Sequence, residues 1–150
     1  MGVQTQTGAV QEQGIRLKFP LGIPAFEEET EFELLRPAET APLLLLQSVR
    51  TASLCFLAVP VELVIPDYEL ALSPEDLAAA GFPPEQTPQP EDIELLTVLT
   101  VLREGVTANL LAPVVINKAR RQAVQAVRSD TAYSHRHPVH LGDSGVYACS

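Results

Sequence analysis

Three histidines near the end of the chain are the residues whose types and spacing come nearest to a chemical site. His135, His137 and His140 lie within six residues, and the imidazole ring is a common metal ligand. On a strand, His135 and His137 would share one face, so two ligands could converge on an ion. Pro138 interrupts such a strand, and the sequence does not identify a carboxylate that would complete the set. We therefore expect no metal site and no cofactor.

Other catalytic patterns are absent from the sequence. Serine, histidine and aspartate all occur, but no nucleophile-elbow pattern and no glycine-rich phosphate loop accompanies them. Asp67 beside Tyr68 could form an acid pair, yet no base or nucleophile adjoins it, so we interpret the pair as structural. The sequence predicts a protein that is not an enzyme. A metal-dependent enzyme that uses the three histidines is the remote alternative.

The charge balance limits the kind of partner. The chain carries 19 acidic and 10 basic residues, a formal net charge of −9, which repels phosphate backbones and argues against direct nucleic-acid binding. Glu27, Glu28, Glu29 and Glu31 occupy four of five successive positions and form either a solvated face or a docking patch for a basic protein. We interpret the basic residues 118–121 as a solvated turn rather than a phosphate site.

Length and apolar content bound the fold and the location. A chain of 150 residues suits one domain with a real core. Cys55 lies in an apolar run and is expected to be a small core residue, and a disulfide with Cys149 has weak support. Residues 1–13 do not have the pattern of a secretory signal, and no apolar run is long enough to span a membrane. We expect a cytoplasmic monomer.

The stretch around which the chain is organised is residues 109–117. It is almost wholly apolar between two asparagines, and its β-branched residues favour a buried strand. Pro113 cannot donate a ladder hydrogen bond, so it should mark a strand start, an edge or a bulge. Asn109 and Asn117 can accept bonds from nearby backbone groups and close both ends as turns.

Alternating or continuous apolar runs elsewhere predict further strands, with Leu70 and Leu72 as a short continuation of the pattern. A capping serine, Ser73, followed by Pro74 predicts one short helix that ends at Gly81. The fold class is all-β and mainly antiparallel, a small barrel-like domain over residues 1–141 with one short helix. Residues 142–150 are expected to be a flexible tail. The other predicted strands cover residues 15–19, 31–35, 43–49, 54–59, 93–102 and 122–128. Residues 4–10 are expected either to form a short edge strand or to fray, and residues 133–140 to close the domain.

Residues 20–26 form a stiff loop, because two prolines restrict the backbone and Gly22 permits a conformation that other residues resist. Ile23 and Phe26 are expected to anchor this loop in the core. A loop so constrained is either a structural corner or a recognition surface. Tyr68 is expected to rest its ring on the core while its hydroxyl bonds a polar partner.

Five segments, in this order and spacing, resemble the FliW family of flagellar assembly factors over nearly the whole chain. They read FPLGIPAF at 19–26, LQS at 46–48, VIPDY at 64–68, TANLLAPVVIN at 107–117 and YSHRHP at 133–138. Ala25 departs from the family, which has glycine there, so we expect the loop to avoid a positive φ at this position.

The resemblance implies a non-catalytic adaptor. Proteins of this family bind CsrA, a small dimeric RNA-binding repressor, away from its RNA surface and so relieve repression of flagellin mRNA. They also bind flagellin, which competes for the same factor. A generic β-barrel interaction domain with a different partner is the alternative. Asn109, Asn117 and Tyr68 could serve only to hold the backbone. The expected contact residues are Phe19, Gly22, Pro24, Phe26, Glu27, Glu28, Glu29, Glu31, Gln47, Ser48, Asp67, Tyr68, Asn109 and Asn117.

Overall fold

A computed structural model of the chain describes residues 14–128, 133–142 and 145–148. Within these ranges it contains ten strands, one α-helix and three short 3-10 turns. Residues 4–10, expected either to form a short edge strand or to fray, lie outside the described residues. The strands are β1 (Ile15–Lys18), β2 (Glu31–Leu35), β3 (Leu44–Ser48), β4 (Cys55–Pro60), β5 (Ile93–Leu102), β6 (Gly105–Ala108), β7 (Val114–Asn117), β8 (Gln122–Gln125), β9 (His137–Gly142) and β10 (Gly145–Ala148), and the helix is α1 (Pro74–Ala79).

Seven strands close into a barrel. The order is β5, β4, β3, β2, β1, β8, β7, and the ring closes because β7 also pairs with β5. The long strand β5 makes this possible: its first half pairs with β7 and its second half with β6, which carries β9 and β10 outside the barrel. Within this ring, β1 and β8 are joined by a single parallel pair, Lys18 with Gln122. The described fold confirms the prediction of a mainly antiparallel barrel with one short helix.

The barrel interior is filled by large apolar side chains that alternate along the strands. Phe19 and Phe32 are fully buried and meet edge to face, with ring centroids 5.2 Å apart. Removing either ring would cost about 3–5 kcal/mol, the usual penalty for emptying a core phenylalanine site. This packing fixes the ends of β1 and β2, from which the first loop of the candidate site departs.

The stretch predicted to organise the chain is buried, but only its second half is a strand. All four residues of β7 are buried, since Val114 faces the barrel core and Val115 packs with the layer that includes α1. As predicted, the strand begins directly after Pro113. Both asparagines close turns: Asn109 Oδ1 accepts from the backbone N–H of residues 111 and 112, and Asn117 Oδ1 accepts from that of residue 120.

Helix α1 follows the predicted signals. The hydroxyl of Ser73 accepts a 3.0 Å bond from the N–H of Asp76, Pro74 opens the helix, and Gly81 lies just past its end with φ of +83°. Leu70 and Leu72 do not continue a strand; they pack instead with the small cluster that covers β7 and β8 from outside.

The end of the described chain is more regular than the expected tail. Within residues 142–150, Gly145–Ala148 form β10, which pairs antiparallel with β9. The backbone of this short segment forms hydrogen bonds with the edge of β9, and its amino-acid composition alone does not predict this pairing.

A candidate partner-binding rim

Two connections meet at one end of the barrel. Residues 19–30 join β1 to β2, and residues 49–54 join β3 to β4; β2 pairs antiparallel with both β1 and β3, so both connections lie at the same end. The N–H of Val49 donates to the carbonyl of Glu31 at 3.0 Å, and the Arg50 guanidinium donates to the carbonyl of Glu28 at 3.3 Å. The exposed surface that these connections form is called the rim below.

The first connection has a tightly defined backbone. Gly22 has φ of +68°, and a Cβ atom there would lie 2.4 Å from the carbonyl oxygen of Glu27, so only glycine fits. Ile23 and Phe26 exchange two backbone bonds, Phe26 N–H to Ile23 O at 2.6 Å and Ile23 N–H to Phe26 O at 3.3 Å. The loop therefore holds one shape, as its prolines and glycine predict.

Ala25 adopts the left-handed backbone that the sequence argument excluded. Its φ is +75°, so the expectation that this position avoids a positive φ is wrong. Pro24 and Ala25 occupy the two central positions of the turn between Ile23 and Phe26, and a type II turn requires a positive φ at the second of them. The turn prevails over the preference of alanine, at a cost of about 1–2 kcal/mol.

Phe26 lies on the surface, so the prediction that it anchors the loop in the core is wrong. It is 40% exposed, and its ring packs edge to face on Phe56, with centroids 5.8 Å apart. Ile23, in contrast, is buried as predicted. Leu21 and Val49 are also large exposed apolar side chains of the two connections, 56% and 41% exposed. The rim thus carries three exposed apolar side chains, and Phe56 supports one of them, Phe26.

The four glutamates near the loop play different parts. Glu27 and Glu28 are exposed, and Glu31 is half-buried at the start of β2 opposite Lys18. Glu29 is buried: its carboxylate accepts the hydroxyl of Ser48 at 2.5 Å and that of Thr51 at 2.7 Å. Of the four, Glu27 and Glu28 therefore carry the exposed charge of the rim, and the carboxylate of Glu28 lies 3.7 Å from the exposed guanidinium of Arg50.

Hydrogen bonding shifts the acidity of the buried carboxyl. The bonds from Ser48 and then Thr51 lower the pKa of Glu29, with a smaller contribution from the charge of Arg50, although burial acts in the opposite direction. The carboxylate form is the one that both hydroxyls stabilise, so Glu29 joins the two connections as an anion.

Gln47 and Ser48 organise the second connection from within. The side-chain amide of Gln47 lies 3.0–3.4 Å from four carbonyl oxygens, those of residues 48, 51, 52 and 54. Ser48 is buried, and its hydroxyl also accepts from the N–H of Thr51 at 2.9 Å. These two predicted contact residues shape the rim and do not themselves form its surface. Phe19, fully buried, and Gly22 do the same for the first connection.

The remaining predicted site residues lie away from the rim. Tyr68 is half-buried, its hydroxyl donates to the carbonyl of Leu110 at 2.6 Å, and its ring stacks on that of Tyr133 with centroids 4.3 Å apart. This confirms the prediction that its ring rests on the core and its hydroxyl bonds a polar partner. Burial raises the pKa of this tyrosine. Asp67 beside it is exposed, whereas Asn109 and Asn117 serve the turns described above. The predicted set is thus divided among separate regions of the barrel.

Comparison with known proteins places this geometry in a family. A family model described as FliW protein matches residues 3–139. The chain belongs to the FliW family. A protein of Bacillus subtilis, the flagellar assembly factor FliW, is 35% identical over 132 residues, which cover 87% of this chain and 88% of the relative. The FliW of Geobacillus kaustophilus is 37% identical over 123 residues, 81% of each chain.

A solved FliW structure has the same fold. The crystal structure of a flagellar assembly factor FliW superposes with a TM-score of 0.71 at 36% sequence identity, covering 82% of this chain and 84% of the other. The residues 3–139 that match the family model include each of the five segments on which the resemblance was based.

Within this FliW-family barrel, Cys55 is not a core residue. It is exposed at the start of β4, so the prediction of burial is wrong, although partial burial still raises the pKa of its thiol. In an alternating strand Phe56 takes the inward face and its neighbour the outward one. Cys149, the other half of the disulfide considered above, lies outside the described residues.

The three histidines do not form a ligand set in the described part of the chain. There, no three side chains of histidine, cysteine, aspartate or glutamate are placed to share a metal ion. Nor does any helix among the described residues have the length and apolar character needed to cross a membrane.

Sequence reasoning found the rim but missed part of its surface. The constrained loop, which includes Leu21, and the acidic run pointed to this end of the barrel, yet neither the exposed Val49 nor Phe56 beneath Phe26 was among the expected contact residues. Alternation along β4 was the available signal for Phe56, since it separates Phe56 from its outward-facing neighbours.

Proposed function

We propose that this FliW-family protein is a non-catalytic flagellar assembly factor of the cytoplasm that binds CsrA and antagonises its RNA binding allosterically. Repression of flagellin mRNA translation is thereby relieved. The protein also binds flagellin, which releases CsrA, so that the concentration of unassembled flagellin sets translation. Membership in a family of flagellar assembly factors supports this function, and the rim supplies a surface suited to a protein partner.

The observation that carries the proposal is the exposed Phe26. An aromatic side chain on a rigid, preformed loop binds at little entropic cost, and such residues dominate the energetics of interfaces. Phe26 is held by Phe56 behind it and by the turn at Ala25, so it needs no rearrangement to meet a partner.

The acids beside Phe26 suit a basic, RNA-binding partner. Glu27 and Glu28 would attract a positively charged surface and accelerate association, and held next to CsrA they would repel RNA phosphates. Because both are solvent-exposed, salt should weaken this contribution. Glu29 contributes through the shape of the loop, since its charge is already engaged by Ser48 and Thr51.

Calorimetric titration with CsrA at low and high salt tests the proposal, followed by the same titration with flagellin present. The Glu27→Lys/Glu28→Lys variant should bind CsrA at least about tenfold more weakly at low salt, with a smaller difference at high salt. A matched variant, Glu39→Lys/Glu91→Lys, makes the same charge change at two exposed acids, in the connections before β3 and before β5, and should bind like the wild type.

The outcomes separate the leading function from its alternative. CsrA binding that flagellin abolishes would support the partner switch. CsrA binding that flagellin leaves intact would keep the antagonist role and reject the switch. No binding to either protein would favour a generic β-barrel interaction domain with another partner.

A further inference from the structure

A large cleft lies at the end of the barrel opposite the rim. β1 begins there and β2, β4 and β7 end there, whereas the rim lies at the other ends of β1, β2 and β4. The cleft has a volume of about 960 Å³. Its floor is made of inward-facing barrel residues such as Leu17, Leu34 and Ile116, and loops on either side form its walls.

Prolines make the walls stiff and apolar. Pro60 ends β4 and Pro66 follows it in the next segment, and Pro88 and Pro90 lie in the segment before β5. Proline has no N–H of its own and a restricted φ, so these four residues add stiff, apolar surface to the lining. The cleft is thus preformed, which lowers the cost of binding.

The charges around the cleft are unlike those of the chain as a whole. Arg36, Lys118 and Arg121 line it, three of the ten basic residues of a protein with a net charge of −9. The acids that line it are Glu62 and Glu94, and Glu94 is engaged by Arg36 at 2.7 Å. Lys118 and Arg121 are exposed and lie beyond 4 Å of every described carboxylate, so the cleft has cations left for a ligand.

The shape of the cleft favours a chain over a compact small molecule. A second cavity of about 300 Å³, between α1 and residues 84–88, shares Leu70, Pro88 and Ile93 with the first. The two cavities adjoin at these three residues and are together called the groove, and its basic side chains all line the larger cavity. Such a groove matches an extended peptide whose alternate side chains enter the apolar parts.

We propose that this groove binds an extended segment of a partner protein that carries alternating apolar side chains and at least one carboxylate. The apolar side chains enter between the proline walls, and the carboxylate meets Lys118 and Arg121. The inference rests on the geometry and charge of the groove and does not depend on CsrA or flagellin being partners.

Selection from a phage-displayed library of random peptides of about twelve residues tests this, with the full chain as bait. The enriched peptides should share alternating apolar positions and an aspartate or glutamate. A synthetic peptide from that set should bind about tenfold more weakly to Lys118→Glu/Arg121→Glu, as measured by fluorescence anisotropy. The matched variant Arg103→Glu/Arg136→Glu makes the same charge change at exposed sites outside the groove and should bind like the wild type.

A second pair of variants tests the apolar part without changing charge. Leu70→Ser alters a loop residue where the two cavities join, and Leu102→Ser alters an apolar residue, 42% exposed, at the end of β5. The first should weaken binding of the peptide several-fold and the second should leave it unchanged. The rim variant Glu27→Lys/Glu28→Lys should also leave it unchanged, which separates this result from the CsrA test.

Three results would overturn the proposal. One is a selection without a shared acidic and apolar pattern. Another is equal binding of the peptide to wild type and Lys118→Glu/Arg121→Glu. The third is self-association in sedimentation experiments that the same charge reversal abolishes, because the groove would then be occupied by a second copy of the chain.

Discussion

The hydroxyl of Ser48 donates a 2.5 Å hydrogen bond to the carboxylate of Glu29, and this contact joins the end of β3 to the first connection of the rim. Thr51 adds a second hydroxyl to the same carboxylate, and its own N–H returns to Ser48. Glu29, which belongs to the most acidic run of the chain, therefore stabilises the rim from inside, while its neighbours Glu27 and Glu28 lie on the surface of the rim.

Neutralising Glu29 should reduce stability in a pH-dependent way. The pKa of Glu29 is lowered in the folded protein from its ordinary value of 4.5, so its carboxylate contributes stability above that value, and the contribution disappears as pH falls through the folded pKa. Glu29→Gln should thus unfold at lower denaturant than wild type at neutral pH, and the two curves should converge in acid. Urea denaturation across this pH range measures the difference.

The exposed Glu28→Gln variant is the control for that experiment, and its stability should follow the wild type at each pH. A Glu29→Gln curve parallel to wild type at all pH values would show that the hydroxyl contacts do not favour the charged form.

Glycine at position 25 should stabilise the protein. Ala25 has φ of +75°, a conformation that costs alanine about 1–2 kcal/mol and glycine very little. Part of the gain is lost because glycine gives the unfolded chain more freedom, so Ala25→Gly should raise the free energy of unfolding by about 1 kcal/mol.

Thermal or urea denaturation measures that gain. Ala52→Gly, an exposed alanine of the other connection at which no positive φ occurs, should lose stability and serves as the control. A loss of stability in Ala25→Gly as well would mean that the turn is not under the strain described here.

The hydroxyl of Tyr68 should matter more than its exposure suggests. It donates to the backbone carbonyl of Leu110 at 2.6 Å, at the turn that leads into β7. Tyr68→Phe keeps the ring stacked on Tyr133 but leaves that carbonyl without this donor, which should cost about 1–2 kcal/mol. Equal unfolding free energies for wild type and variant would show that another donor replaces the hydroxyl.

Truncation of Phe26 should separate binding from folding. Phe26→Ala removes a half-exposed ring, so the free energy of unfolding should fall by no more than about 1–2 kcal/mol, whereas affinity for CsrA should fall more than about tenfold. Leu63→Ala removes an apolar side chain that is 38% exposed in the turn after β4, at the end of the barrel opposite the rim, and should not change binding. Equal CsrA affinity in both variants would remove Phe26 from the interface.

Local chemistry in the sequence determined the elements of this protein. Ser73 and Pro74 begin the helix, Pro113 precedes a buried strand, and Asn109 and Asn117 close turns, because each of these effects acts within a few residues. Periodic apolar positions likewise predicted β1 to β5 and β8, and their number and shortness indicated a barrel.

Tertiary structure alone decided which side chains of the rim face a partner. Glu29 turns inward because Ser48 and Thr51 approach from another connection, and Phe26 turns outward because Phe19 and Ile23 already fill the space below the loop. The φ of Ala25 follows from the bonds between Ile23 and Phe26, which outweigh the preference of the residue itself.

The groove opposite the rim was beyond sequence reasoning for the same reason. Its lining comes from segments between Ile15 and Arg121 that barrel closure brings together. From the sequence alone, Lys118 and Arg121 were interpreted as part of a solvated turn. Short-range preferences specify strands and turns, but the direction of a loop side chain and the shape of a cavity depend on contacts between residues far apart in the chain.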